Sequence, residues 1–144
     1  MPSQPSERVT IAGVASPQTI ASTPVVSSPV DMSRFQEALF ILSMGAMASE
    51  TMDFKLQASA TSGGTYADIP GRAIAQIAAG STSSKQALIN MKAEKMPTGT
   101  QFGRGSAVTG GATGGPASIT ALGVEPRFGP ASDDKLASVV QTVV

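Results

Sequence analysis

Residues 51–60 alternate between apolar and polar side chains without a break, and this pattern constrains the fold more than any other feature of the chain. The apolar members are Met52, Phe54, Leu56 and Ala58, and the polar members are Asp53, Lys55, Gln57 and Ser59. In an extended chain, a period of two residues places the two sets on opposite faces. The segment is therefore predicted to be a half-buried β-strand. The sequence Thr-Ser-Gly-Gly at residues 61–64 then predicts a turn.

Shorter segments with strand character follow one another along the chain, separated by turn residues. We predict strands at residues 65–69, 72–77, 85–91, 101–109 and 117–125, with segments containing glycine or proline between most of them. Short strands at this spacing are typical of an antiparallel sandwich or barrel. The predicted fold class is therefore all-β, an antiparallel β-sandwich with a jelly-roll-like core.

Residues 30–48 form the most apolar segment, and two structures fit it. In a helix, Phe35, Leu39 and Leu42 would share one side, whereas in a strand neighbouring side chains would lie on opposite faces. Periodicity alone cannot assign a continuous apolar run. Because Gly45 disfavours a helix and the next segment is a strand, we predict a strand that is buried on both faces.

The first 29 residues contain five prolines, which exclude a long helix. Only Glu7 and Arg8 are charged in this segment, while valine and isoleucine recur through it. A disordered tail is normally more polar and more charged than this. We predict an extended N-terminal arm that lies on another surface, with a flexible N-terminus as the alternative.

The pattern changes after Pro126. Leu136, Val139, Val140 and Val143 recur at helical spacing, and Ser132 followed by two aspartates is a helix-start signal. A short helix is therefore predicted in a C-terminal tail. The predicted organisation is an arm over residues 1–29, a β-sandwich core over residues 30–125 and a tail over residues 126–144.

The chain has no histidine, cysteine or tryptophan. Catalysis by Ser–His–Asp or Cys–His groups is therefore excluded, as are the usual imidazole and thiolate metal sites. The glycine-rich residues 99–105 lack the Lys-Ser/Thr ending of a phosphate-binding loop, and the adjacent Asp133 and Asp134 are better explained by helix capping. We predict a non-enzymatic protein with no catalytic residue, no metal site and no cofactor.

Ten basic and ten acidic residues give a net charge of zero. Nucleic-acid binding depends on a basic surface, so it is not expected. The longest apolar run, residues 38–48, is shorter than the roughly 20 residues of a membrane-spanning helix. No secretory signal is visible at the N-terminus. A soluble product of the cytoplasm with no nucleic-acid or membrane partner is the expectation.

Three stretches of the sequence resemble a known family of proteins. They are residues 30–46, beginning Val-Asp-Met-Ser-Arg-Phe, residues 54–71, containing Ser-Gly-Gly-Thr-Tyr, and residues 123–139, containing Glu-Pro-Arg-Phe-Gly-Pro. Together they resemble the small virion proteins of tailed bacteriophages, in particular the capsid decoration, or cement, proteins. The resemblance extends over residues 30–140, most of the chain.

This resemblance implies a structural protein that binds the outside of a phage capsid and stabilises the shell by bridging neighbouring major capsid subunits. The expected partners are the major capsid protein and further copies of the same chain. The expected location is the capsid surface of the virion, after synthesis in the host cytoplasm. The two terminal segments would dock by strand addition. The residues expected to make these contacts are Val9, Ile11, Val25, Val26, Arg127, Phe128, Leu136 and Val140.

Two other functions remain open on the sequence. One is a head–tail connector or tail component of the same virion. The other is a β-sandwich module for glycan binding or adhesion, against which the absence of tryptophan argues. Oligomeric state, capsid geometry and the order of the terminal segments before binding are also open.

Overall fold

The computed structural model describes residues 4–47 and 49–143, and within them the chain forms nine β-strands. The strands are β1 (Val9–Ile20), β2 (Val25–Val26), β3 (Val30–Asp31), β4 (Phe35–Met44), β5 (Met52–Ser59), β6 (Ala67–Ala73), β7 (Gln86–Lys92), β8 (Phe102–Thr109) and β9 (Gly115–Pro126). One helical turn, α1 (Pro5–Arg8), precedes them, and two 3-10 turns lie at Ala93–Lys95 and Ala131–Asp134.

The strands form two antiparallel sheets. The first, sheet A, has the order β1-β9-β4-β7, and the second, sheet B, has the order β2-β8-β5-β6. Strands β2 and β3 both pair with β8, at Val25↔Ala107 and Val30↔Gly103, so together they fill one edge position. The two sheets therefore contain four strand positions each, with β2 and β3 counted as one. Two packed four-stranded sheets with this strand order form a jelly roll. The predicted all-β class and the antiparallel sandwich are confirmed.

Large apolar side chains from both sheets meet in one core between them. The fully buried ones include Phe40 and Leu42 from β4, Phe54 and Leu56 from β5, and Ile119 from β9. Glycine on β8 makes room for the largest of them: a Cβ atom at Gly105 would lie 2.9 Å from the Phe54 ring.

The strand prediction for the apolar segment is confirmed for Phe35–Met44, which form β4, a central strand of sheet A, whereas Val30–Asp31 form β3 and pair with β8 in sheet B. The even-numbered residues of β4 from Ala38 to Met44 are buried in the core. Its odd-numbered residues, including Leu39 and Ile41, are only half-buried on the outer face. The prediction that both faces are buried was therefore wrong.

The prediction that Pro70 and Gly71 end a strand was also wrong. A single strand, β6, runs through both residues, and Ile77 forms only an isolated bridge with Met52. Gly71 has φ +76°, and the pairing of β6 with β5 shifts register at this point. Proline is tolerated here because β6 lies at the edge of sheet B, where its nitrogen need not donate.

Residues 9–20 are extended, as the prolines suggested, but they do not form an arm outside the core. They are strand β1 of sheet A and pair with β9 from Val9↔Val124 to Ile20↔Gly115. Ala12, Ala15 and Ile20 contribute to the buried core. Two register shifts accommodate Gly13 and Pro17 within this strand. The apolar residues of the segment therefore contact the chain's own sandwich.

The predicted C-terminal helix is absent from the described residues. A 3-10 turn covers Ala131–Asp134 with Pro130, not Ser132, at its N-cap, and residues 135–143 have no regular structure. The Leu136 N–H donates to the Ile11 carbonyl at 3.1 Å, which directs the chain along the edge of β1. Three of the four residues at helical spacing are β-branched valines, which have low helix propensity, so this contact prevails.

Candidate interaction surface

Three of the residues predicted as contacts lie together at the β1 edge of sheet A. Val9 and Ile11 are half-buried on β1, and Leu136 joins Ile11 through the backbone hydrogen bond described above. Val9 and Ile11 also line a cleft of about 170 Å³ with Leu122 and Val139. The N-terminal and C-terminal segments, expected to contact partners separately, thus contact each other.

The structure places Val25 and Val26 elsewhere, at the edge of sheet B. Val25 packs against the core, and Val26, on the opposite face of β2, is 38% exposed. Val25 pairs with the buried Ala107 on the inner face, and Val26 pairs with Ser106 on the outer face, which explains why only Val26 is exposed. Sequence reasoning had grouped them with Val9 and Ile11, and the structure does not bring the two pairs together.

The last three predicted contact residues follow β9. The Arg127 N–H donates to the Arg34 carbonyl at 2.8 Å, and its side chain lines a polar cleft of about 430 Å³ with Glu37, Lys92 and Glu94. Phe128 is 76% exposed and Val140 is 94% exposed. Contact of these residues with a partner stays a prediction.

The outer face of sheet A carries apolar side chains in three rows across the strands. The rows follow from the registers of β1 with β9, β9 with β4, and β4 with β7. They are Val9–Val124–Glu37–Lys92, Ile11–Leu122–Leu39–Asn90 and Val14–Thr120–Ile41–Leu88. Eight of these twelve side chains are apolar.

An antiparallel sheet that packs one face on a core normally presents polar side chains on the other. Sheet A does not follow this rule. Most of its outer apolar side chains are half-buried, and those of Val9, Ile11 and Leu122 share a cleft with Val139 of the C-terminal segment. Leu88 at the β7 edge is 57% exposed. Contiguous apolar surface of this kind marks a contact region in soluble proteins. We call this three-row surface the apolar face.

The outer face of sheet B is polar. The Lys55 ammonium donates to Asp68 at 2.8 Å, and the Gln57 amide donates to the same carboxylate at 3.0 Å. These two hydrogen bonds, Lys55 first, hold the pKa of Asp68 below its usual value. The Arg104 guanidinium donates to the Gln57 side-chain oxygen at 3.0 Å and lies 4.0 Å from the centroid of the Tyr66 ring. The outer face of sheet B thus holds several charged side chains in direct hydrogen bonds, whereas the outer face of sheet A carries one looser ion pair in its first row, between Lys92 and Glu37 at 3.9 Å.

A second polar cluster joins the start of β4 to the turn after β9. Asp31 accepts hydrogen bonds from the Ser33 hydroxyl at 2.6 Å and from the Gln101 amide at 2.9 Å. Arg34 lies between Asp31, at 3.5 Å, and Asp134, at 2.6 Å. Burial raises the pKa of Asp31, but the hydrogen bonds and the Arg34 charge outweigh burial, so the pKa lies below its usual value. This cluster holds the C-terminal turn against the core.

Across residues 4–47 and 49–143 we find no group of three or more carboxylates placed to hold a metal ion. Over the same residues, no helix has both the length and the hydropathy needed to cross a bilayer.

Most of the apolar face was missed by sequence reasoning. In the alternating residues 85–91, Leu88 shares a face with the polar Gln86 and Asn90. Leu39 and Ile41 lie in the continuous apolar run of residues 38–48, where the sequence does not distinguish the two faces of a strand. One signal was available: Leu88 is an apolar residue at a position where alternation calls for a polar one. Leu122 and Val124 become part of a surface only through pairing with strands distant in sequence.

No family model matches the sequence, and no curated protein matches it. Among solved structures, one similar chain comes from the Bacillus endospore appendages, described as a novel family of disulfide-linked pili. It is 16% identical, with 87% of this chain and 97% of that chain covered and a TM-score of 0.43. Another comes from Desmodium yellow mottle tymovirus, with 8% identity, coverage of 83% and 87% and a TM-score of 0.41. The function proposed below rests on the residues of this chain.

Proposed function

We propose that this protein is a non-enzymatic structural component of a phage virion. It binds the outside of the capsid, and it stabilises the shell by bridging neighbouring major capsid subunits. The observation that carries the proposal is the apolar face of sheet A, with its three cross-strand rows. An apolar surface that extends across four strands suits contact with another protein, whereas small substrates bind in enclosed concave pockets.

The contrast between the two outer faces supports a contact role for sheet A. Lys55, Gln57, Asp68 and Arg104 keep sheet B in polar contact with itself and with water. Apart from the Lys92–Glu37 pair in its first row, the described residues of the apolar face form no such polar network, so covering the face removes apolar area from water at a gain of about 25 cal/mol per Å². The virion and capsid parts of the proposal rest on the resemblance of residues 30–140 to phage decoration proteins.

Bridging requires two separate contact surfaces, and the chain offers a second one. Phe128 and Val140 are 76% and 94% exposed on the segment that follows β9. One capsid subunit would cover the apolar face, and a neighbour would cover this segment. Many copies on one shell would combine weak individual contacts into strong net attachment.

The experiment is a co-sedimentation assay with shells assembled without this protein. Ile41→Lys and Leu88→Lys each place a charge in the third row of the apolar face. Each is expected to weaken shell binding at least about tenfold, because the charge must be desolvated on contact. The matched control is Val108→Lys, which places the same charge on the outer face of sheet B, opposite Asp53.

The proposal fails if both apolar-face variants bind shells as tightly as Val108→Lys while remaining folded. Labelled protein should decorate the whole shell surface, whereas a connector or tail component would label a single vertex. Binding to a glycan array without binding to shells would favour the adhesion alternative. Tyr66, the only tyrosine, is a poor sugar platform because Arg104 already covers its ring.

A further inference from the structure

Strand β7 has a free edge with no proline and no bulge, and its single charged side chain, Lys92, lies at its end. Of the four edge positions, β1 contains Pro17 and two register shifts, β6 contains Pro70, and Pro29 lies between β2 and β3. Proline and bulges at edges block pairing with other chains. Strand β7 has neither proline nor glycine and pairs with β4 in unbroken register from Glu37↔Lys92 to Ser43↔Gln86.

The backbone groups of β7 that point outward can be identified. Gly45 on β4 donates to Pro116 of β9 at 2.8 Å, and Met44 donates to Lys85 at 2.9 Å. Even-numbered residues of β4 therefore bond with β7, and odd-numbered ones bond with β9. It follows that the N–H and C=O groups of Gln86, Leu88 and Asn90 point away from the sheet.

The C-terminal segment consists of strand-forming residues but has no strand partner, whereas β7 is a strand with one unpaired edge. Residues 136–143 contain no charge and no proline, and Val139, Val140, Thr142 and Val143 are β-branched. Such residues favour strands. Yet the segment has no strand pairing in the structure, and Val140 and Val143 are 94% and 85% exposed.

The segment cannot pair with β7 of its own chain. Leu136 is held at the outer edge of β1, on the opposite side of sheet A from β7. Leu136, outside β1, and a strand added outside β7 are separated by five strand spacings of about 4.8 Å, or about 24 Å in all. The seven steps from Leu136 to Val143 span about 24 Å when fully extended, so residues 139–143 could not run along β7 of the same chain.

We propose that residues 139–143 of one copy add as an antiparallel or parallel strand to the free edge of β7 in a second copy. The outward groups of Gln86, Leu88 and Asn90 then gain backbone partners, and Leu88 gains an apolar neighbour on the outer face. The donor and acceptor sites lie at opposite edges of one sheet. The contact is therefore head-to-tail and generates a ring or a filament of subunits.

This self-association does not depend on a capsid, so it is measured on the full chain in solution by light scattering at increasing concentration. The mass is expected to rise above the 14.5 kDa of one chain. Asn90→Pro removes one outward N–H and no bond to β4, so it is expected to raise the apparent dissociation constant at least about tenfold. Val140→Pro removes one N–H from the donor strand and is expected to raise the apparent dissociation constant in the same way. Asn90→Ala is the matched control and should stay within about twofold of the unsubstituted protein.

Disulfide trapping provides a second measurement that does not depend on proline variants folding well. The chain has no cysteine, so single cysteines report on one contact each. Leu88→Cys is mixed with Val140→Cys or with Gln141→Cys, which cover both faces of the donor strand. A mixed disulfide, identified by mass, is expected in one mixture. Val108→Cys on sheet B replaces Leu88→Cys in the control.

Three results would overturn the inference: a monomer at every concentration, equal assembly of folded Asn90→Pro and Asn90→Ala, or mixed disulfides no more abundant than in the Val108→Cys control. Leu88 belongs to both the apolar face and the β7 edge, so the capsid proposal is judged here by Ile41→Lys, which lies on the central strand β4. Shell binding by a monomeric protein would refute self-association alone, and self-association without shell binding would refute the capsid proposal alone.

Discussion

Glu50 organises the loop between β8 and β9 through two backbone hydrogen bonds. Its carboxylate accepts the Thr113 N–H at 3.0 Å and the Gly114 N–H at 2.7 Å. Gly114 has φ +59°, and a Cβ atom there would clash with the Ile20 carbonyl oxygen. Only glycine fits at this approach of the loop to β1, and Glu50 holds it there.

Replacing Glu50 should therefore destabilise the fold. Glu50→Ala leaves two loop N–H groups without their charged acceptor and is expected to lower the free energy of unfolding by about 1–3 kcal/mol. Glu50→Gln keeps one acceptor oxygen and should lose less. Urea denaturation measures both values, with exposed Glu94→Ala as a control that should stay within about 0.5 kcal/mol. A loss no larger than that of the control would mean that the loop does not need Glu50.

Asp31 and Asp68 should make stability depend on acid pH. Both have a folded-state pKa below the unfolded value, so their contribution is present above about pH 4 and is lost as pH falls through the folded pKa. We expect the urea midpoint to fall between pH 5 and pH 2, and Asp31→Asn to reduce this fall. Glu94→Gln serves as the control. An unchanged acid dependence in Asp31→Asn would exclude a role for its hydrogen bonds with Ser33 and Gln101.

Among the elements, β1 is part of the sandwich core, whereas the C-terminal segment is not. Strand β1 contributes Ile20, Ala12 and Ala15 to the core and covers the edge of β9. Residues 137–143 contribute no side chain to the core in the structure. The two terminal segments looked alike in the sequence, as apolar arms, but only one of them is part of the sandwich.

Two truncations should separate these elements. Removal of residues 1–29 deletes β1, β2 and core contacts, so we expect no soluble folded protein. Removal of residues 137–144 uncovers mainly Val9 and Leu122 near Val139, and should cost only about 1 kcal/mol. Circular dichroism and thermal melting of the two products make the comparison. A folded product lacking residues 1–29 would contradict the placement of β1 in sheet A.

At the scale of the whole molecule, one core joins two sheets with different outer faces. Phe40 from sheet A and Phe54 from sheet B are both about 1% exposed within the same buried cluster. Neither sheet can keep its inner face buried without the other. The sandwich is therefore expected to unfold as one cooperative unit.

Substitution on either side of the core should affect both sheets equally. Phe40→Ala and Phe54→Ala are each expected to cost about 3–5 kcal/mol, because each leaves a large cavity. Tyr66, the only tyrosine, reports on the edge of sheet B by fluorescence, while far-ultraviolet circular dichroism reports on both sheets. The two signals should give the same midpoint in each variant. Separate midpoints for the two probes would show that the sheets unfold independently.

The sequence by itself determined the local elements whose signal lies within a few residues. The alternation at residues 51–60 predicted β5, and the recurring short strands predicted an all-β sandwich, because a period of two residues is a property of the extended backbone. Gly45 and the neighbouring strand were enough to assign β4 to a strand.

Only the tertiary structure decided what depends on pairing between distant residues. Val9 pairs with Val124, so residues 9–20 of the predicted arm are an edge strand, and Leu136 bonds to Ile11 in a segment that forms no helix over residues 135–143. Rows such as Ile11–Leu122–Leu39 exist only after four strands take their register. The apolar face is thus a property of the register between strands, which no short stretch of sequence contains, whereas strand identity is already present in each stretch.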